Sequence, residues 1–554
     1  MSAWTLAGAT VIDGTGAEPR TGNVVIEGDR IASVDGTERR GTVIDATGLV
    51  AAPGFVDIHS HVDWIVPLDD GAELLAPNLL QGITTAVAGN CGVSPAPLGD
   101  LFHRGAIERM PVVGLVSDRL AWSWQTLDEY LRELEQRGMP LNLATFVGHS
   151  TLRATVVGEA QRQATPGELR QMTVLLEQGL RDGAVGLSAG LEYFPGRYAG
   201  PSELEELSRV AAAADGLVAV HTRGISELFD HAMLEAIGFA RESRCRLQIS
   251  HVNPMGRANW DGIDGLFDEV DRARAGGLDV AFDIVGYTEW TLTAMGALPH
   301  VVTDLGDDAV LAMAASTEGR AHLRELVERA WPAWPAWVEG RVTRNIILEM
   351  GWDALYLADE APGFSGARGQ TIAAIAAERA ADPFDVYFDL LAAAGGTTRI
   401  VNDGYGGDSS DETPLRRLAA RPDAIPETDT AIVPVGGKLT LPLPMFWGTM
   451  PRFLGHFSRD LELVPLPQAI HRMTQLPARR ARLAGRGELT PGAYADVVLL
   501  DLDELGDRGT FLDPEQPGGV EWVFVNGEPV VRERHYDPSA APGRALRARD
   551  GGGA

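Results

Sequence analysis

Pro53-Gly54-Phe55-Val56-Asp57-Ile58-His59-Ser60-His61 is an apolar run that ends on two histidines one residue apart. The run predicts a strand over 55–59. Alternate residues of a strand share a face, so both imidazoles are expected to point the same way at its C-terminal end. Two structural histidines on one strand occur by chance, and the pair alone is a weak signal.

The runs that follow strengthen it. Strands are predicted over 85–90, 143–148, 185–189, 217–221, 247–251, 280–284 and 425–429, with helices between most of them, over 127–136, 165–179 and 227–241. Thr165-Pro166-Gly167-Glu168 has the form of a helix N-terminus. Eight strand–helix units in sequence predict an α/β fold, a closed parallel (β/α)8 TIM barrel, over 53–479. Residues 1–52 and 480–545 read instead as short strands and tight turns, which predicts one small β-sandwich domain built from both termini. The long gap before the last strand predicts an inserted helical segment over 301–400. Its Trp-rich stretch, Trp331 to Trp337, is either a packed bracket or a lid over the barrel mouth. The Arg/Gly-rich tail after Gly543 is expected to fray.

Barrel enzymes keep their chemistry at the C-terminal ends of the strands. Three more potential ligands end three other strands: Cys91 in Gly89-Asn90-Cys91-Gly92, His221 and His251. Each taken alone is more often a packed or hydrogen-bonded residue. Together with His59 and His61 they predict a metal centre. Two imidazoles and a thiolate suit Zn²⁺ and leave an open position, the arrangement of a catalytic zinc site. The only lysine is Lys438, far from any strand end. No carboxylated lysine can therefore bridge two ions, and Cys91 is the candidate for that place. Asp429 ends the last strand, where a carboxylate can act as general base and acid. Asp403, at an Asp-Gly turn, is its weaker rival.

The 554 residues are 45% hydrophobic and 22% charged, with a formal net charge of −30. That charge argues against nucleic acid or an anionic membrane surface as a partner. Two cysteines argue against a disulfide framework, and Cys245 reads as a small packed residue. No apolar run reaches bilayer length, and Met1-Ser2-Ala3-Trp4-Thr5-Leu6 lacks the pattern of a signal peptide. A cytoplasmic protein with a small-molecule substrate is expected, and a homo-oligomer is compatible with the sequence.

The sequence resembles the amidohydrolase superfamily, and within it the D-aminoacylase (N-acyl-D-amino-acid deacylase) group. The resemblance rests on PGFVDIHSH, GITTAVAGNCGVSPAP, VGHSTLR, GAVGLSAGLEYFPGRYA, VAVHTRG, LQISH, ARPDAIPETD, WGTMPRFLG, ELTPGAYADVVLLD and EWVFVNGEPVV. GNCG and GLEY are the most discriminating. The resemblance implies a distorted barrel, a tightly held zinc on Cys91, His221 and His251, and a second, weaker metal site from His59, His61, Cys91 and Asp429. His149, Glu192 and Tyr193 match family motifs near strand ends, with roles beside the substrate, behind the metal ligands and in packing open for His149 and Tyr193. Arg223 could reach the mouth or form a salt bridge.

Three departures concern the substrate. Asn253 stands where relatives have a lysine, Met445 where they have an arginine that holds the substrate carboxylate, and Tyr287 lies in Val285-Gly286-Tyr287 where they read Tyr-Pro-Tyr. Lys438 or Arg452 could compensate. The expected reaction is hydrolysis of a linear amide by a metal-bound hydroxide, with Asp429 moving the proton. The alternatives are an amidase, lactamase or carbamate/ester hydrolase for a neutral or apolar substrate, and a non-catalytic metal-containing binding protein.

Overall fold

The computed structural model describes residues 3–99, 103–110, 113–338, 341–431, 434–435, 438–439, 444–513 and 515–548. Eight parallel strands form the barrel: Phe55–Asp57, Ile83–Ala88, Asn142–Thr145 continued by Val147–Gly148, Gly186–Gly190, Leu217–His221, Arg246–Ile249, Val280–Val285 and Ala424–Glu427. Each pairs with the next in parallel register. The ring closes where Ser60 bridges Thr430 in parallel. There Asp429 N donates to His59 O at 3.1 Å and His61 N to Thr430 O at 2.9 Å. The strands are buried along their length, as expected of a parallel sheet covered on its outer face by helices.

Local sequence explains the helices between them. Thr126 with Glu129, and Thr165 with Glu168, form reciprocal capping boxes on helices Leu127–Arg137 and Pro166–Asp182. Gly183, at φ 116°, ends the second of these in the left-handed conformation that glycine adopts without penalty.

Strands from both ends of the chain share a nine-stranded sheet. Val50–Pro53 is its hinge, parallel to Ala3–Val11 on one side and antiparallel to Val497–Leu500 on the other. The tail after Gly543 is not frayed as far as residue 548. Leu143 N donates to Arg544 O, Leu546 N to Leu143 O, and Ala548 N to Gly183 O, so the tail runs along the lower rim of the barrel.

The segment between the seventh and eighth strands is not purely helical. Helices Asp307–Ala314, Thr317–Arg329, Ile372–Arg379 and Pro383–Ala394 pack beside a three-stranded antiparallel sheet of Glu289–Thr293, Arg399–Asp403 and Leu355–Leu357. The two ends of the segment pair with each other, Glu289 opposite Asp403. Local periodicity cannot reveal so distant a pairing. In the Trp-rich stretch, Trp334 packs on His231 of a barrel helix and the Arg223 guanidinium lies over Trp337. No described helix is long and apolar enough to cross a membrane.

Candidate metal centre

The second strand ends in a loop that only glycine permits. Gly89 and Gly92 take φ of 76° and 74°, with Cys91 between them at 52°. A Cβ on Gly190 would meet the Cys91 carbonyl at 2.1 Å. Ser188 Oγ donates to Gly89 O and accepts Gly92 N, and Asn90 Nδ2 donates to Val87 O and Ile58 O. The loop therefore aims Sγ at the barrel axis. His251 and Asp429 also hold positive φ, 33° and 46°. Such backbone in non-glycine residues is costly and concentrates at functional sites.

The six strand-end side chains meet. Donor atoms of His59, His61, Cys91 and Asp429 lie within 4.8 Å of one another, and so do those of Cys91, His221 and His251. Cys91 belongs to both groups. Its Sγ is 3.6 Å from His221 Nδ1, 3.6 Å from His251 Nε2 and 3.1 Å from His59 Nε2. Asp429 Oδ1 is 3.1 Å from His61 Nε2 and 3.4 Å from His59 Nε2. Ligands held at about 2.0–2.3 Å by a tetrahedral zinc stand roughly 3.5 Å apart, so the spacing and the thiolate–imidazole donor set fit such an ion. All six side chains are buried, His221 the least so at 9% exposure.

The clustered groups shift one another's protonation. Burial opposes ionisation of Cys91, but the His59 charge and hydrogen bonds from His221 and His251 pull its thiol well below the usual range. Burial likewise opposes ionisation of Asp429, which His59 and His61 nevertheless hold below the ordinary carboxylate value. His61 is raised to about 10 and His221 to about 9, because Asp429, Cys91 and Glu192 outweigh their desolvation. A metal would displace these protons.

A second ring of groups orients the ligands. His221 Nε2 bonds Glu192 Oε2 at 2.9 Å, leaving Nδ1 for the centre. Tyr193 Oη donates to Cys91 O at 2.7 Å and Tyr405 Oη to His251 O at 2.9 Å. Asp283 Oδ1 accepts His251 N at 2.6 Å. Asp283 and Glu427 also form a close group with His59. Glu427 is fully buried, and neither carboxylate oxygen has a hydrogen-bond partner among the described residues. Burial, reinforced by the neighbouring carboxylates and only partly offset by His59, pushes it well above the ordinary range. Sequence reasoning missed both acids. The available signal was an acidic residue inside a buried strand run, which is rare without a partner or a role.

Most of the substrate-side candidates have protein partners instead. His149 is buried against Glu203, 2.8 Å away, in a network with Arg153. Arg223 is fully buried. It spends its donors on Glu235 and on the carbonyls of Arg197 and Ala199. Asn253 exchanges two hydrogen bonds with the Val285 backbone, as another strand would. Tyr287 Oη reaches Asp507, and Met445 is buried in an apolar cluster. Arg452 is held by Gly286 O and Glu412. The Lys438 side chain lies outside the described residues. Tyr193 alone stays at the centre, its ring edge-on to His221 at 4.9 Å. Asp403 accepts Thr288 Oγ1 and Ser409 N, outside the ligand groups. Burial raises the Cys245 thiol to about 11, as befits a packed residue.

The amidohydrolase family model matches residues 42–531. A D-aminoacylase of Alcaligenes xylosoxydans xylosoxydans is 31% identical over 553 residues, 98% of this chain and 96% of its own. An N-acyl-D-glutamate deacylase of the same organism is 32% identical over 548 residues, with the same two coverages. Among solved structures, a D-aminoacylase superposes with a TM-score of 0.76 at 29% identity, covering 98% of this chain and 99% of that one. An N-acyl-D-glutamate deacylase from Bordetella bronchiseptica, complexed with zinc and a phosphonate that mimics the tetrahedral intermediate, gives 0.76 at 30% identity and the same coverages. With ligand-type side chains gathered at the mouth of such a barrel, the chain belongs to the amidohydrolase family, in the group of the D-aminoacylases, and is a metal-dependent hydrolase of carbon–nitrogen bonds in amides other than peptides.

Proposed function

We propose that the protein is a zinc-dependent deacylase of linear N-acyl compounds that resemble N-acyl-D-amino acids but are less anionic or more apolar. The observation that carries this reading is the sharing of Cys91 by two ligand groups, one with His221 and His251, the other with His59, His61 and Asp429. The first group would hold the tighter ion and the second a weaker one. Zinc, when bound, supplies the Lewis acidity that polarises an amide carbonyl and acidifies water.

The protein's own groups do the rest. Asp429, steadied by His61 and His59, takes the proton of the attacking water and returns it to the leaving nitrogen. Glu192 and Tyr193 hold His221 and the Cys91 loop in place. Burial of the cluster keeps bulk water from competing for these interactions.

Asp429→Asn, assayed by steady-state kinetics beside elemental analysis, is expected to lower kcat by at least ~10²-fold, the scale of a lost general base, while the tighter zinc remains. Near-normal turnover in that variant rejects the assigned role, and a metal-free wild-type protein rejects the centre itself.

A further inference from the structure

The segment inserted between the seventh and eighth strands converges on one residue at the barrel rim. His300 Nε2 lies 2.8 Å from the Glu192 carbonyl, and Thr343 Oγ1 donates to the same carbonyl at 2.7 Å. Arg344 Nη1 donates to Glu192 Oε2 at 3.1 Å, the oxygen that also bonds His221 Nε2 at 2.9 Å. Glu192 is fully buried, and its other carboxylate oxygen has no hydrogen-bond partner among the described residues.

A neutral imidazole carries one N–H. The partner of that N–H decides which nitrogen is free to bind an ion. Here Glu192 takes Nε2 of His221, and Nδ1 faces Cys91 Sγ at 3.6 Å. A buried carboxylate is retained only when another charge or a set of donors compensates it. The Arg344 guanidinium, whose side chain is 15% exposed, supplies that charge on Glu192, beside the hydrogen bond from His221. The inserted segment has attachments to the barrel besides this pair. The His300 and Thr343 side chains hold the Glu192 carbonyl, and backbone bonds run from Gly256 N to Gly404 O at 2.9 Å and from Gly406 N to Pro254 O at 2.8 Å.

We propose that Arg344 is a positioning residue for the metal centre: through Glu192 it fixes the orientation and ring proton of His221, so that the inserted segment completes the site. This rests on the metal-centre reading above.

The test is the zinc Kd of the full-length protein, measured by competition with a chromogenic chelator, together with the melting temperature of the metal-free protein. Arg344→Gln is expected to weaken zinc binding ~10–100-fold, the usual cost of removing an outer-shell partner, and to lower the metal-free melting temperature as well, since Glu192 stays buried with one partner fewer; the titration is run well below that temperature, where the variant is folded. Arg344→Lys should recover most of that affinity. In a Glu192→Gln background, Arg344→Gln should cost nothing further. The proposal is overturned by wild-type zinc affinity in Arg344→Gln, by an undiminished loss in the Glu192→Gln background, or by an Arg344→Lys variant that recovers none of the affinity. A wild-type protein that binds no zinc sinks the metal-centre reading, and this inference with it, whereas unchanged affinity in the variant sinks this inference alone.

Discussion

An arginine grips a carboxylate through two parallel charge-assisted hydrogen bonds, and Met445 offers neither. Its side chain is fully buried in an apolar cluster with Phe446, Tyr287 and Tyr405. Arg223 and Arg452, two arginines that could fill the gap, are both committed to glutamates and carbonyls. Asn253 is occupied in bracing the seventh strand. Among the described residues Arg223, Arg452 and Asn253 are therefore not free to receive an α-carboxylate, and desolvating an unpaired one would cost binding energy. An N-acyl-D-amino acid amide or methyl ester is expected to give a kcat/KM roughly tenfold or more above that of the free acid, the equivalent of ~1.4 kcal/mol. A preference of that size for the free acid would show that some other group reads the anion.

At the scale of elements, the helix Pro201–Ala213 is fastened to the helix His149–Val156 through Glu203. That carboxylate takes His149 Nε2 at 2.8 Å and Arg153 Nη1 at 2.6 Å inside the protein. Burial works against its ionisation, but the His149 hydrogen bond and the Arg153 charge outweigh burial and hold it at about 2, below the usual 4.5. A depressed carboxylate stabilises the fold above its unfolded value and loses that contribution as pH falls toward the folded one. The window here runs from 4.5 down to about 2. Glu203→Gln should cost ~3–5 kcal/mol at neutral pH, since it strands Arg153 in the interior. Between about pH 5 and 3 the wild type should lose stability faster than the variant. Denaturant unfolding across that range reads both effects, and parallel pH slopes would contradict the ion pair.

At the scale of the molecule, one buried network joins the terminal sheet to the barrel. Arg486 pairs with Asp496, whose Oδ1 accepts Asn526 N at 2.8 Å. Asn526 Nδ2 donates to Asn142 Oδ1, also at 2.8 Å, at the start of the third barrel strand. The Arg486 and Asp496 side chains are 2% and 3% exposed. Asp496→Ala leaves a buried guanidinium without its partner, at an expected cost of ~3–5 kcal/mol. Because the network spans both bodies, calorimetry should show one shifted transition. A loss below ~1 kcal/mol would mean that the two parts are held together by other contacts.

The sequence alone determined the barrel and the strand-end positions of the six ligand-type residues. Strand alternation and strand ends are local properties, and a parallel barrel turns every strand end toward one mouth. The pattern around GNCG was legible for the same reason, since the loop needs glycine where φ is positive. Tertiary structure decided what each remaining polar side chain faces. The sequence left Arg223 between the mouth and a salt bridge, and His149 between substrate-side and packing roles; their partners are Glu235 and Glu203, supplied by helices farther along the chain. Glu427, Asp283 and the Glu192–Arg344 pair, like the sheet joining Glu289–Thr293 to Arg399–Asp403, arise from pairings between distant segments. No local periodicity encodes such partners, because burial and partner identity are fixed only when the distant strands and helices have packed.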